Sequence, residues 1–234
     1  MTGSDSALLD NPIWNALTTD HAPLALGNGH ARRYPAEIGP LSGIPNQSEA
    51  SYASLASLAG QYPVVLFSLD PIRPSPGWTE LRAGDLVQMV RTVENSGIPG
   101  IHCGAELRQL TPADSPAMVE LAELTEPGPF RLRTHELGVF YGIFENGRLV
   151  SMAGQRMRLP GFVEISAVCT HSEARGKGYA RTLMLAVMND IRGEGDTPFL
   201  HTWAFNDTAI RVYTALGFVL RHSMHVVALR NDPA

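Results

Sequence analysis

The stretch Val168-Cys169-Thr170-His171-Ser172-Glu173-Ala174-Arg175-Gly176-Lys177-Gly178-Tyr179-Ala180 decides how this chain is read. An apolar strand pattern runs into a glycine-rich turn, and the turn opens directly into an amphipathic segment. Ala180, Leu183, Met184, Val187, Met188 and Ile191 recur at helical spacing and lay one apolar stripe against a neighbouring layer. Gly193 and Gly195 then stop the helix. The first-turn N–H groups of such a helix lack internal partners and its dipole favours negative charge, so phosphate oxygens satisfy both demands. Gly176 and Gly178 let the backbone turn tightly and approach a ligand, while Arg175 and Lys177 add positive charge beside it. A strand-to-helix turn can also need glycine for geometry alone, and these residues by themselves leave both readings open. The P-loop spacing and the dinucleotide GxGxxG pattern are both absent.

Outward from the turn, residues 175–180, RGKGYA, match the RxxGxA form of an acyl-CoA loop through Arg175, Gly178 and Ala180. Asn206, Ala209, Tyr213, Gly217 and Phe218 match a second pattern, NxxAxxxYxxxGF. Both blocks stand in the expected order with a strand between them. Over roughly residues 105–230 the chain therefore resembles the GNAT superfamily of N-acetyltransferases. The resemblance implies an α/β fold with a mixed, mostly antiparallel sheet flanked by helices and a cofactor wedged where two parallel strands splay. It also implies acetyl-CoA as cosubstrate, direct transfer of the acetyl group to a primary amine in a ternary complex, and no metal.

The punctuation of the chain agrees with such a fold. A short strand at 107–110 leads through Thr111-Pro112-Ala113-Asp114 into a helix carrying Met118, Leu121, Ala122 and Leu124, which Pro127-Gly128-Pro129 breaks. A short helix is expected at 131–136. Strands at 139–144 and 148–156 flank Asn146-Gly147, a strong hairpin signal, and Pro160-Gly161 reverses the chain into a strand at 162–170. Beyond the long helix come a strand at 198–204, a helix at 207–216 and a strand at 219–229. The strands on either side of the long helix need a crossover and should be parallel.

Residues 1–100 form an additional N-terminal α/β region whose role the sequence leaves open, a degenerate second half being one reading. A small-residue helix is expected at 48–58, apolar segments at 63–69 and 86–90 point to regular structure of unassigned type, and an irregular loop is expected at 71–77. A boundary near 96–104 would leave residues 101–234 as the acetyl-CoA-binding catalytic domain. The alternative is one core shared by both halves, since nothing there resembles a long flexible linker.

Candidate roles follow from the chemistry. Acetyl transfer to an amine needs a neutral amine, a stabilised oxyanion and a proton for the leaving thiolate. Glu164 stands in the strand before the loop, where some members of the superfamily carry a general-base glutamate. A carboxylate there could equally face solvent or join a cross-strand pair. As a base, its burial should raise its pKa toward neutrality. Tyr213 is the candidate acid, because a phenol is protonated at neutral pH; the structural alternative is a core tyrosine. The resemblance further implies that residues 175–181, meaning Arg175, Gly176, Lys177, Gly178, Tyr179, Ala180 and Arg181, grip the pyrophosphate, and that main-chain groups of Val168 and Thr170 pair with the pantetheine arm. Cys169 lies between them and reads as a packed hydrophobe rather than a nucleophile. Asn206 either bonds the cofactor or caps the helix that carries Tyr213. His201 and Trp203 share one strand face and either line an acceptor pocket or fill the sheet face.

Composition excludes other classes. The chain has 234 residues, 44% hydrophobic content and a formal net charge of −5, with no basic cluster for a nucleic-acid backbone. No apolar run reaches the length of a membrane span, and the N-terminal stretch lacks a signal-peptide pattern, so a cytoplasmic location is the expectation. Cys103 and Cys169 read as free thiols, and the histidines form no compact ligand motif for a metal. The acceptor amine and the oligomeric state leave no readable spacing. A non-catalytic acyl-CoA-binding regulatory module is the alternative function.

Overall fold

A computed structural model describes residues 6–91 and 105–232. The boundary expected near 96–104 and Cys103 lie outside these. The N-terminal stretch contributes α1 (Pro12–Thr18), a small antiparallel sheet of β1 (Leu26–Asn28), β2 (Ala31–Arg33) and β3 (Ser42–Gly43), then α2 (Glu49–Ala59), β4 (Val64–Ser68) and β5 (Trp78–Arg91). The remainder runs β6 (Ala105–Gln109), α3 (Ser115–Thr125), β7 (Phe140–Glu145), β8 (Arg148–Leu159), β9 (Phe162–Thr170), α4 (Tyr179–Gly193), β10 (Thr197–Trp203), α5 (Asp207–Ala215) and β11 (Phe218–Asn231). The helix expected at 131–136 is a 3₁₀ turn at Thr134–Leu137.

One sheet of eight strands, ordered β4-β11-β5-β10-β9-β8-β7-β6, spans both halves of the chain. The fold is the mixed, mostly antiparallel α/β arrangement expected. β9 and β10, joined through α4, are its parallel pair. β5 enters from the N-terminal half between β10 and β11, pairing antiparallel with each. A cut at residue 100 therefore divides chain segments that share one sheet.

Local chemistry explains the elements that build the site. Asn146 and Gly147 both take positive φ, 51° and 77°, as a tight hairpin between β7 and β8 requires. Gly161 at φ 80° turns β8 into β9. The stripe on α4 is buried as its spacing predicts: Leu183, Met184, Val187, Met188 and Ile191 are at most 1% exposed. Each such side chain contributes about 1.5–3 kcal/mol by leaving water, which fixes α4 on the sheet and its N-terminus at the ends of β9 and β10. Ser48 caps α2, its hydroxyl accepting from the Ser51 N–H.

Among the described residues no helix is long and apolar enough to cross a membrane. No group of three or more His, Cys, Asp or Glu side chains among them is placed to hold a metal ion.

Candidate active site

The parallel ladder between β9 and β10 is short: Thr197 faces Phe162, Pro198 faces Val163 and Phe199 faces Glu164, and there it ends. Both strands continue, β9 to Thr170 and β10 to Trp203, so they part beyond Glu164. A cleft of about 840 Å³ lies there, lined by Val168, Asn206 and Tyr213 together with Ala167, His201 and Trp203.

A β-bulge shapes the β9 side. Met152 pairs with Cys169 and Gly154 with Ser166, so Ala167 and Val168 together oppose Ala153. Ala167 takes φ 52°, a left-handed conformation that costs an alanine about 1–2 kcal/mol. Bulges leave main-chain polar groups outside the ladder and re-aim side chains, and this one falls where Ala167 and Val168 line the cleft. Thr170 stays in the ladder opposite Ser151, with the two hydroxyls 2.7 Å apart. Cys169 is buried and its thiol is pushed up to about 11 by burial, which fits the packed-hydrophobe reading.

The glycine-rich turn keeps the expected geometry. Gly176 and Gly178 both take φ 79°, and a Cβ built on either meets open space, so their demand is conformational rather than steric. Gly178 is the N-cap of α4, and no side chain among the described residues caps that end. Arg175 and Arg181 are exposed beside the helix start, and the Arg175 Nε donates to the Thr170 carbonyl at 3.3 Å. Lys177 instead bridges to Glu145 at 2.7 Å, and the buried Tyr179 donates its hydroxyl to the same carboxylate. Glu145 thus ties the loop to the end of β7. Ala180 lies in the first turn of α4.

Tyr213 stands on α5 with its ring against Phe218, and burial pushes its phenol up to about 12. Its hydroxyl has no hydrogen-bond partner among the described residues. Asn206 is the N-cap of α5, its Oδ1 accepting from the Ala209 N–H at 3.1 Å, and it also lines the cleft. Both roles considered for it are therefore compatible.

Glu164 departs from expectation. It is fully buried, lies outside the cleft lining, and accepts from Arg156 through both oxygens at 2.5 and 2.6 Å. The His201 Nδ1–H donates to Oε1 at 2.7 Å. Desolvation alone would raise its pKa, as expected from sequence, but the Arg156 charge and the hydrogen bonds outweigh it and hold the carboxyl at about 2. A second bulge produces the pair: Gln155 faces Ile165 and Arg158 faces Val163, so Arg156 and Met157 both oppose Glu164. His201 is held neutral by burial, its Nε2 accepting from the Gln88 amide at 3.0 Å. Gln88 in turn accepts from Arg221, which reaches Asp10 and the Ser6 carbonyl.

The far wall of the cleft was not anticipated. Leu41, Val65 and Phe67 line it with Arg82 and Leu86 of β5, joined by Val226 and Ala228 of β11 and by Arg156 of β8. The two sheet-face candidates, His201 and Trp203, do line this cleft; Trp203 stacks on Phe205 and lies under the Arg82 guanidinium, 4.6 Å from its centroid.

Known proteins share this architecture. The family model described as FR47-like protein matches residues 140–227. The chain is 36% identical to a protein of Novosphingobium aromaticivorans assigned to the GNAT family of acetyltransferases, covering 96% of this chain and 99% of that one with a TM-score of 0.85. Two more distant structures share the fold. A GCN5-related N-acetyltransferase from Kribbella flavida is 13% identical, over 94% of this chain and 96% of its own, at TM-score 0.60. An acetyltransferase of the GNAT family from Colwellia psychrerythraea is 13% identical over 98% of each chain at TM-score 0.53. No curated protein matches the chain. Identity maintained from the N-terminal helices to β11, around a cleft built on splayed strands and a glycine-capped helix, shows that this chain belongs to the GNAT family.

Proposed function

We propose that this protein transfers an acetyl group from acetyl-CoA directly to a primary amine within a ternary complex. The observation that carries the reading is the parting of β9 and β10 beyond Glu164, with the uncapped N-terminus of α4 beside it and Tyr213 lining the opening. The fit to acetyl-CoA rests on this geometry. Positive φ at Gly176 and Gly178 bares the first-turn N–H groups of α4, and open space around both glycines leaves room for a pyrophosphate. Arg175 and Arg181 supply positive charge there, while Val168 and Thr170 offer main-chain groups to an extended pantetheine arm. Acetyl-CoA supplies the acetyl group as an activated thioester.

Each remaining role belongs to the protein. Main-chain N–H groups that the bulge turns out of the ladder can donate to a developing oxyanion. Tyr213 holds its proton at neutral pH and gives it to the departing sulfur, and the proton shed by the attacking nitrogen restores the phenol. Cys169, buried and protonated, takes no part as a nucleophile. Glu164 orients Arg156 and His201 and accepts no proton from the amine.

A non-catalytic acyl-CoA-binding module draws on that last observation, because the carboxylate expected as base is committed to Arg156 and His201. Calorimetry with acetyl-CoA on the wild type and on Gly178→Glu, followed by an amine panel monitored by thiol release, separates the readings. Binding lost in a folded Gly178→Glu protein, with thiol released from some amine, supports the transferase. Binding without release from any amine favours the module, and no wild-type binding removes both.

A further inference from the structure

Two guanidinium groups reach the cleft with donors that the described residues do not use. Arg156 gives Nε and Nη2 to Glu164, and its Nη1 has no hydrogen-bond partner among the described residues although the side chain is 14% exposed. It lines the cleft. Its orientation is enforced, because both opposing oxygens of a fully buried carboxylate hold it. Arg82, on β5, lines the same cleft. It lies on the Trp203 ring and has no carboxylate partner among the described residues. A guanidinium has five N–H donors, and those that the protein does not use can take acceptors from a ligand in the cleft.

The rest of the cleft narrows what could supply them. Leu41, Val65, Phe67, Leu86 and Val226 make much of the wall apolar. The lining carboxylates, Glu123 and Glu126, come from the last turn of α3 and its C-cap, with Arg131 also in the lining, and stand on a different element from Arg82 and Arg156. His201 faces the cleft neutral. The lining charges thus fall into two groups around an apolar space: Glu123, Glu126 and Arg131 at and beyond the end of α3, and the cations Arg82 and Arg156 alone on β5 and β8. That pattern is complementary to a zwitterion with an apolar body.

We infer that the acceptor of the proposed transfer is an amine that also carries a carboxylate, which Arg156 and Arg82 bind while apolar side chains enclose the rest of the molecule. This rests on the transferase reading and adds to it the class of acceptor. Planar guanidinium groups suit a carboxylate, and a donor held in place by Glu164 binds it without first being ordered.

Matched ligands test the inference by calorimetry on protein saturated with coenzyme A: L-leucine against L-leucinamide, and L-phenylalanine against phenethylamine. The acids are expected to bind about tenfold tighter or more, the scale of one charge-assisted hydrogen bond. Arg82→Gln, an exposed change that should not affect folding, is expected to cut the preference to about twofold while leaving acetyl-CoA affinity unchanged. Arg156→Lys keeps a charge against Glu164 but removes the fork, and is expected to lose the preference as well. Equal binding of acid and neutral partner, or no binding of either acid, overturns the inference. A preference that survives both substitutions overturns the assignment to these arginines. Neither result touches the acetyl-CoA titration, which judges the transferase reading separately.

Discussion

Glu164 and Tyr213 show how environment assigns a role to a side chain. Burial acts on both: alone on Tyr213, which it keeps protonated, and against an arginine on Glu164, where the arginine wins. Tyr213→Phe should lower kcat about 10²–10⁴-fold, the usual worth of a general acid, with acetyl-CoA affinity retained; unchanged turnover across a pH series would remove the tyrosine from the mechanism. Glu164→Gln should destabilise the fold by about 3–5 kcal/mol, because it strands the Arg156 charge, and urea unfolding would read the loss. Buried histidines set acid sensitivity together with Glu164. His201 and His21, the latter buried with its Nδ1 2.8 Å from the Tyr34 hydroxyl, have folded pKa values depressed by burial, His21 to about 4, so the stability of their neutral forms is complete above about 6.5 and drains as pH falls below it. Glu164 has its folded value below the ordinary 4.5, so its contribution is lost only between there and about 2. The urea midpoint should therefore start to fall below about pH 6.5 in the wild type, and a midpoint flat down to pH 4.5 would contradict the buried neutral histidines. The Glu164 pairing was partly legible. Counting back across the Pro160-Gly161 turn sets Met157 against Glu164, one residue from Arg156, and the unforeseen bulge supplies that residue.

Elements whose cause is local were readable in advance. The Asn146-Gly147 hairpin, the Thr111 start before α3, the stripe of α4 and the parallel pair around it all follow from turn chemistry or periodicity within a short window. The expected strand at 162–170 coincides with β9. What escaped depends on partners distant in sequence. Residues 78–85 of β5 are half-buried to exposed and carry no apolar run, and pairing with β11 alone makes them strand. α1 is only 7 residues long, too short to declare itself without the core it packs on. The bulge at Ala167 carries no sequence mark, because alanine pays the left-handed cost where glycine would announce it. That cost gives a prediction for the element. Ala167→Gly should leave stability within about 1 kcal/mol, relief of strain offsetting added chain entropy. Ala167→Val should lose about 1–3 kcal/mol, since a β-branched side chain resists this φ at a buried site. Equal stability of the two variants by thermal unfolding would mean that the bulge relaxes away in the valine protein.

At the scale of the molecule, the cleft exists because chain segments far apart in sequence close one sheet. β5 stands between β10 and β11, and β4 closes the far edge on β11. The N-terminal segment is also tied in by polar contacts: Arg221 of β11 holds Asp10 and the Ser6 carbonyl, and Gln88 of β5 donates to the Leu9 carbonyl while meeting His201. The network from Arg156 through Glu164, His201, Gln88 and Arg221 to Asp10 thus runs from the cleft wall into the N-terminal segment. A fragment of residues 101–234 keeps both sequence motifs yet lacks the strand between β10 and β11. Those strands would each expose an unpaired edge, and the buried side chains of β5, Leu86, Gln88, Met89 and Val90, would be missing from the core. The fragment expressed alone should therefore be aggregated or unfolded by circular dichroism and gel filtration, and should fail to bind acetyl-CoA. Adding residues 1–100 as a separate chain should restore a soluble complex that binds it, because the missing strand enters by pairing rather than by its covalent link. A folded, acetyl-CoA-binding fragment would instead mean that β10 and β11 can pair directly, leaving the N-terminal half to build only the acceptor side of the cleft.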